Sequence, residues 1–287
     1  MSEDWKLLIE AINNLKQESS YLKDYVWPIV SGIFSALLGA GVAFWTIKHQ
    51  ERMQVEKDKL DSGNLLIMLV LQAQSSLIAW KHNYALAIQE VDDPIQRLLY
   101  IPRMISNGNS IEYKVESIIF AAKQVPGTMK DSSWRNIVRI FSMIENYNEL
   151  QTIMAKRSML HERIVQLITE SQSESNIELE TLLKIIPNQT LKEAIDLTEK
   201  MIVFVDDLII EMVSFLDAFP KIMQESILTK KIKNYGSVIM TSSPPNQFIH
   251  LYDRSVEVDY KKLATIFQES EEVVSTLYKA GQMTSEK

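Results

Sequence analysis

Asp206, Asp207 and Glu211 form the one carboxylate group on a markedly apolar stretch, and their type and spacing come nearest to a chemical site. Glu211 follows Asp207 by four residues, so in a helix the two share a face and can hold a cation or meet basic side chains of a partner. A solvated helix edge is the simpler expectation, because Lys and Arg are spread widely enough along the chain to neutralise it. His49, His82, His161 and His250 lie far apart, and none begins a pair at metal-ligand spacing. His161 stands beside Glu162 on what reads as a charged, solvated helix flank. No Glu-x-x-His occurs, which removes the di-iron bundle pattern. HExxH, GxSxG, a glycine-rich phosphate loop and a dinucleotide fingerprint are absent as well. Without cysteine there are no disulfides, thiolate metal sites or cysteine nucleophiles. The net charge of -7 opposes direct nucleic-acid binding, which needs clustered Lys and Arg. The expectation is a non-enzymatic chain without cofactor or metal; an enzyme of scattered residues would have Asp207 and Glu211 as its foothold.

An apolar fraction of 46% over 287 residues is ample for a core, and eight glycines and eight prolines are too few for a many-stranded β fold. The expected class is all-α: an N-terminal amphipathic helix (1–24), one transmembrane helix (25–47), a charged helical stalk (48–64) and a soluble helical bundle (65–287).

The transmembrane expectation rests on YVWPIVSGIFSALLGAGVAFWTI, Tyr25 to Ile47, with no charge until Lys48. As a helix this run spans roughly 34 Å, enough for a bilayer core. Trp27 and Trp45 stand near its ends, where amphipathic rings favour the headgroup level, and Lys48 follows as a further interface anchor. Pro28 falls in the first turn, where a missing N–H costs least. A signal peptide would begin nearer the start and carry a shorter apolar core. Ser31, Ser35, Gly39 and Ala43 recur every fourth residue, with Gly32, Ala36 and Ala40 beside them, and this smooth face lets two helix backbones approach closely in lipid. Self-association through it is one expectation, and incidental use of small residues in a membrane helix is the other. Lys48, Arg52, Lys57 and Lys59 follow the span closely, which places the C-terminal side in the cytosol.

Before the span, Trp5, Leu8, Ile9, Ile12, Leu15 and Leu22 line one side of an amphipathic helix. After it, Ser62-Gly63-Asn64 reads as punctuation between stalk and body. Leu65 to Trp80 begins as greasily as a membrane helix, yet it reaches only roughly 24 Å and is expected to be a core helix, with a two-helix membrane hairpin as the alternative.

In the body, Ile111, Val115, Ile118 and Ala122 suggest a helix capped by Ser110. Ile137, Ile140, Phe141, Ile144, Leu150, Ile153, Met154 and Ile164 suggest a long one from Ser133 to about Thr169. Trp134, Phe141 and Tyr147 are expected in the core. The most apolar helix is Leu191 to Phe219, with Asp196, Lys200, Asp207 and Glu211 keeping one side wet. Val238–Met240 and Phe248–Leu251 suggest a minor β pair, and a last helix is expected from Asp259 to Ala280, ended by Gly281.

An acidic amphipathic segment, a small-residue membrane helix, a charged stalk (KHQERMQVEK) and a helical body resemble in layout the bacterial membrane-anchored helical proteins, including transmembrane effectors of retron-type anti-phage defence systems. That resemblance implies a membrane-perturbing effector of the abortive-infection type in the inner membrane, single-pass, with a cytoplasmic body that senses or binds a protein partner. The alternative is a membrane-tethered scaffold or adaptor that leaves the bilayer intact.

Overall fold

The computed structural model describes residues 3–104, 110–122, 134–171, 185–228, 231–241 and 246–279, and it divides the chain into two compact units, Met1–Lys57 and Asp58–Lys287. The described residues are mostly helical, at 78%, and contain no strand. In order they form α1 (Glu3–Tyr21), a π-helical turn (Leu22–Val26), α2 (Trp27–His82), α3 (Pro94–Tyr100), a 3-10 helix (Val115–Ala121), α4 (Ile137–Ser171), α5 (Asn188–Ser226), a second 3-10 helix (Asn246–Leu251), α6 (Tyr260–Phe267) and α7 (Glu271–Tyr278).

In the first unit the widened turn precedes Pro28. A proline ring crowds the carbonyl four residues earlier and has no N–H to offer it, and a π-helical turn is one way to relieve that conflict. The helical stretch Lys23–His82 is long and apolar enough to cross a membrane; its most apolar window has a mean hydropathy of 1.8 and no buried residue.

The second unit is built on the apolar stripes of α2, α4 and α5. Leu66, Ile67, Val70, Ala73 and Leu77 of α2 are fully enclosed, so Leu65 to Trp80 is a core helix of the body. Ser62-Gly63-Asn64 does not interrupt it: the helix runs through all three. Gly63 serves close approach instead, since a Cβ there would stand 2.0 Å from the Cε of Met223 on α5. Asn64 accepts from the Ile239 N–H and donates to the Ser237 carbonyl, each at 3.0 Å, satisfying an extended segment as a neighbouring strand would. The expected β pair is therefore absent, and Phe248–Leu251 lies in the 3-10 helix.

α4 and α5 form the most extensive helix pair of the body. On α5, Met201, Ile202, Val205, Leu208, Ile209, Met212 and Leu216 are buried, while Val213 sits at the margin. This helix passes Phe219 and continues through Pro220. The carbonyl of Leu216, which Pro220 cannot serve, accepts from the Thr241 hydroxyl at 3.0 Å. On α4, Ile140 and Ile144 are buried, but Phe141 is half exposed, so of the three aromatics expected in the core only Trp134 and Tyr147 are there. The described helix begins at Ile137, and Ser133 lies outside the described residues.

Two further expectations change. Ile111 is not in a helix; its backbone is held on both sides by the Asn148 side chain, at 2.8 and 3.2 Å, and only Val115–Ala121 coils, as 3-10. The terminal helix is two: Gln268 adopts the left-handed conformation with φ of 62°, ending α6, and Ser270 caps α7. Asp259 caps α6 through the N–H groups of Lys261 and Lys262, while Ala280 and Gly281 lie outside the described residues. Leu263 and Val274 join Ile95, Leu98, Ile164 and Ile195 in a second apolar cluster.

Candidate functional site: an exposed apolar helix and a buried charge network

On α2 the residues singled out in the sequence are all at the surface. Around Gly32, Gly39 and Gly41 an added Cβ would meet nothing within 4 Å. Ser35, Ala36, Ala40 and Ala43 are exposed, and so is Ser31, whose hydroxyl donates to the Pro28 carbonyl at 3.0 Å. Thr46 does the same toward Val42 at 2.8 Å. Trp27 and Trp45 are about two-thirds exposed, at 65% and 68%, which for indole rings on a water-facing helix is unusual. The Trp45 ring stacks on His49 at 5.6 Å, and the Lys48 ammonium lies 5.9 Å from the Phe44 ring centre.

The body contains what sequence reasoning placed in water. Asp206, Asp207 and Glu211 are buried, at 4%, 1% and 4% exposure, and Glu199 joins them at 1%. Each meets a cation from another segment. Glu211 takes a two-point bond from Arg139 of α4, Nε to Oε1 at 2.7 Å and the second nitrogen to Oε2 at 3.0 Å, while the guanidinium lies 4.1 Å from the Trp134 ring centre. The Trp134 indole N–H donates to Ser214 at 2.9 Å. Asp207 pairs with Arg254, and Asp206 with Lys81 in the last turn of α2 at 2.6 Å. Lys81 also donates to the Asp253 carbonyl, and the other Asp206 oxygen accepts from the Ser255 N–H at 2.7 Å. The α5 carboxylates thus tie α2, α4 and the 253–255 segment to one helix.

Glu199 pairs with Arg97 of α3 at 3.1 Å. Burial raises its carboxyl to about 7 against the opposing pull of Arg97 and Arg157. Arg157 spends its donors on Thr198 at 3.0 Å and on the carbonyls of Leu98, Ile101 and Pro102, where α3 ends and negative partial charge collects. Burial lowers it to about 10. The enclosed Tyr84 hydroxyl is pushed well up by desolvation and then by Asp206. His161 is half-buried, and desolvation, then Arg157 and Arg103, hold it below the usual histidine range, so its flank is less wet than the sequence suggests. Among the described residues no cluster of His, Asp and Glu is arranged to hold a metal ion.

Beside this network opens a cleft of about 420 Å³ whose walls include Lys81, Leu86, Gln89, His250, Arg254 and Val256. Lys81 and Arg254 reach it already paired with Asp206 and Asp207, so the charges at its floor are compensated from within the protein. One signal for the network was present in the sequence: Asp206, Asp207 and Glu211 lie within or beside the apolar stripe of the most apolar helix, where a buried carboxylate needs a partner. Their partners, scattered from Lys81 to Arg254, carry no local pattern.

Comparison with protein families, with curated proteins and with solved structures finds no match to this chain.

Proposed function

We propose that this protein is anchored in a membrane by α2, crossing between about Tyr25 and Ile47, and that its helical body works at that surface as a non-enzymatic binding module. The observation that carries the proposal is the contrast along α2. In the body one face of α2, Leu66, Ile67, Val70, Ala73 and Leu77, is enclosed, whereas between Trp27 and Ile47 no face is: Ile29, Ile33, Phe34, Leu37, Leu38 and Phe44 are each more than half exposed. Such a run has no favourable place in water and a favourable one among acyl chains. The basic residues that follow the span support a body on the cytosolic side, and the resemblance in layout supports a bacterial inner membrane as its setting.

The finer proposal is an effector: the body senses a protein partner, copies associate through the face that includes Gly32 and Gly39, and the bilayer is disturbed, in the manner of an abortive-infection response to phage. The open space around both glycines supports it. A scaffold that uses the same helix only as a tether is the second reading. Overexpression with a dye-leakage readout separates them. The effector gives leakage and growth arrest that Gly32→Leu with Gly39→Leu abolishes, while a scaffold gives neither and keeps its function when the body is moved to an unrelated anchor. Recovery of the full chain in the supernatant after high-speed centrifugation without detergent refutes both.

A further inference from the structure

The segment 253–256 is held more firmly than its own burial explains. It has no regular secondary structure, and Asp253, Arg254 and Val256 are exposed. Four polar bonds nevertheless pin it to three helices: Lys81 of α2 donates to the Asp253 carbonyl, Arg254 pairs with Asp207 of α5, the Ser255 N–H donates to Asp206 at 2.7 Å, and Arg97 of α3 donates to the Val256 carbonyl at 3.0 Å. A segment that buries little gains little from such attachment, whereas one that presents groups to a ligand gains a fixed geometry. The cleft of about 420 Å³ opens beside it, and that volume is in the range of small-molecule sites.

Arg254 is the group presented. One terminal guanidinium nitrogen bonds Asp207, while Nε and the other terminal nitrogen bond none of the described residues. The Arg254 side chain is 32% exposed and that of Asp207 only 1%, so the guanidinium edge turned from Asp207 is the accessible one. Two N–H groups side by side match the two oxygens of a carboxylate. The body already uses this recognition once, in the two-point bond from Arg139 to Glu211. Leu86, 72% exposed, and Val256, 45% exposed, add apolar surface to the same walls. Asp207 balances the Arg254 charge and Asp253 stands on the same wall, which suits a ligand with one negative charge and disfavours a polyanion.

We propose that this cleft binds a small organic carboxylate with an apolar body, its two oxygens on the free edge of Arg254 and its apolar part on Leu86 and Val256. This adds a small-molecule ligand to the binding module proposed above, and it holds wherever in the cell the chain resides.

The test is a ligand-observed NMR titration of the full-length chain in lipid nanodiscs, with empty nanodiscs as the blank. The probes are phenylacetate, cyclohexylacetate, the neutral isostere phenylacetamide, and inorganic phosphate. At least one acid is expected to bind with a Kd below about 1 mM, and phenylacetamide and phosphate at least about tenfold more weakly. Arg254→Lys keeps a cation for Asp207 but removes the fork, and it should weaken the bound acid by at least about tenfold. Leu86→Trp fills the mouth of the cleft from an exposed position, leaves the charge network alone, and should abolish binding; it decides the matter if Arg254→Lys does not fold. No saturable binding of either acid up to about 10 mM overturns the proposal, as does binding of the amide or of phosphate as tight as that of the acid. Unchanged affinity in Leu86→Trp, or in a folded Arg254→Lys, does so as well. Should the chain be found in the supernatant, the anchoring is wrong, and the same titration on that soluble chain still decides the cleft.

Discussion

On the anchoring proposed above, two aspartates in the middle of the apolar run release this protein from the membrane, and one does not. Between Tyr25 and Ile47 the strongly apolar residues are Val26, Ile29, Val30, Ile33, Phe34, Leu37, Leu38, Val42, Phe44 and Ile47, all exposed in the fold and so free to face lipid. At about 0.3–0.6 kcal/mol each, they favour insertion by roughly 3–6 kcal/mol. An aspartate at the helix centre opposes it by about 2.5–3.5 kcal/mol and also removes a leucine. Leu37→Asp alone thus uses up about 3–4 kcal/mol, most of the driving force, and the roughly 1 kcal/mol that remains at mid-range keeps the larger part of the chain in the pellet. Leu37→Asp with Leu38→Asp opposes insertion by about 6–8 kcal/mol and exceeds it. The assay is sedimentation of lysed cells with and without alkaline carbonate, followed by immunoblotting against a tag. If the double variant sediments as the parent does, the ten residues are not what holds the chain, and the insertion argument fails.

Arg157→Met leaves the buried carbonyls of Leu98, Ile101 and Pro102 without their donor, and it should lower the stability of the body by about 3–5 kcal/mol, read from urea unfolding of the detergent-solubilised chain; a loss under about 1 kcal/mol contradicts the assigned role. Glu199 has a folded pKa of about 7, above its ordinary 4.5, so the fold binds its proton more tightly than the unfolded chain does. Its contribution is full below 4.5 and falls by about 3 kcal/mol as pH rises to about 7; Glu199→Gln should flatten the urea midpoint across that window, and an unchanged slope speaks against it. Gly63→Val should cost about 1–3 kcal/mol by collision with Met223, and combining it with Met223→Ala should recover a measurable part in a double-mutant cycle.

The sequence made the helical class legible because its apolar positions follow a period near 3.6 and its breakers are few. The length of the uncharged run identified α2, and the width of the stripe from Met201 to Leu216 identified α5. Spacing was weaker where a helix has apolar residues on more than one side: Ile140, Phe141 and Ile144 share a plausible period, yet Phe141 faces out. Gly63 looked like a terminator because glycine disfavours helix, whereas its lack of a side chain makes room for Met223. The charge network was least legible. Lys81 and Asp206, or Arg97 and Glu199, are more than a hundred positions apart, and only the tertiary fold decides that an acid on an apolar helix finds a base rather than water.

The acids of α5 also bear on how the chain is made. Before the body forms each helix faces its surroundings alone, and among the described residues only the stretch Lys23–His82 is long and apolar enough to cross a membrane. Asp206, Asp207 and Glu211 each oppose entry of α5 into a bilayer by a few kcal/mol. After folding, Lys81, Arg254 and Arg139 silence them. The same carboxylates that keep the stripe of α5 too polar for a bilayer thus end as interior struts of the folded body.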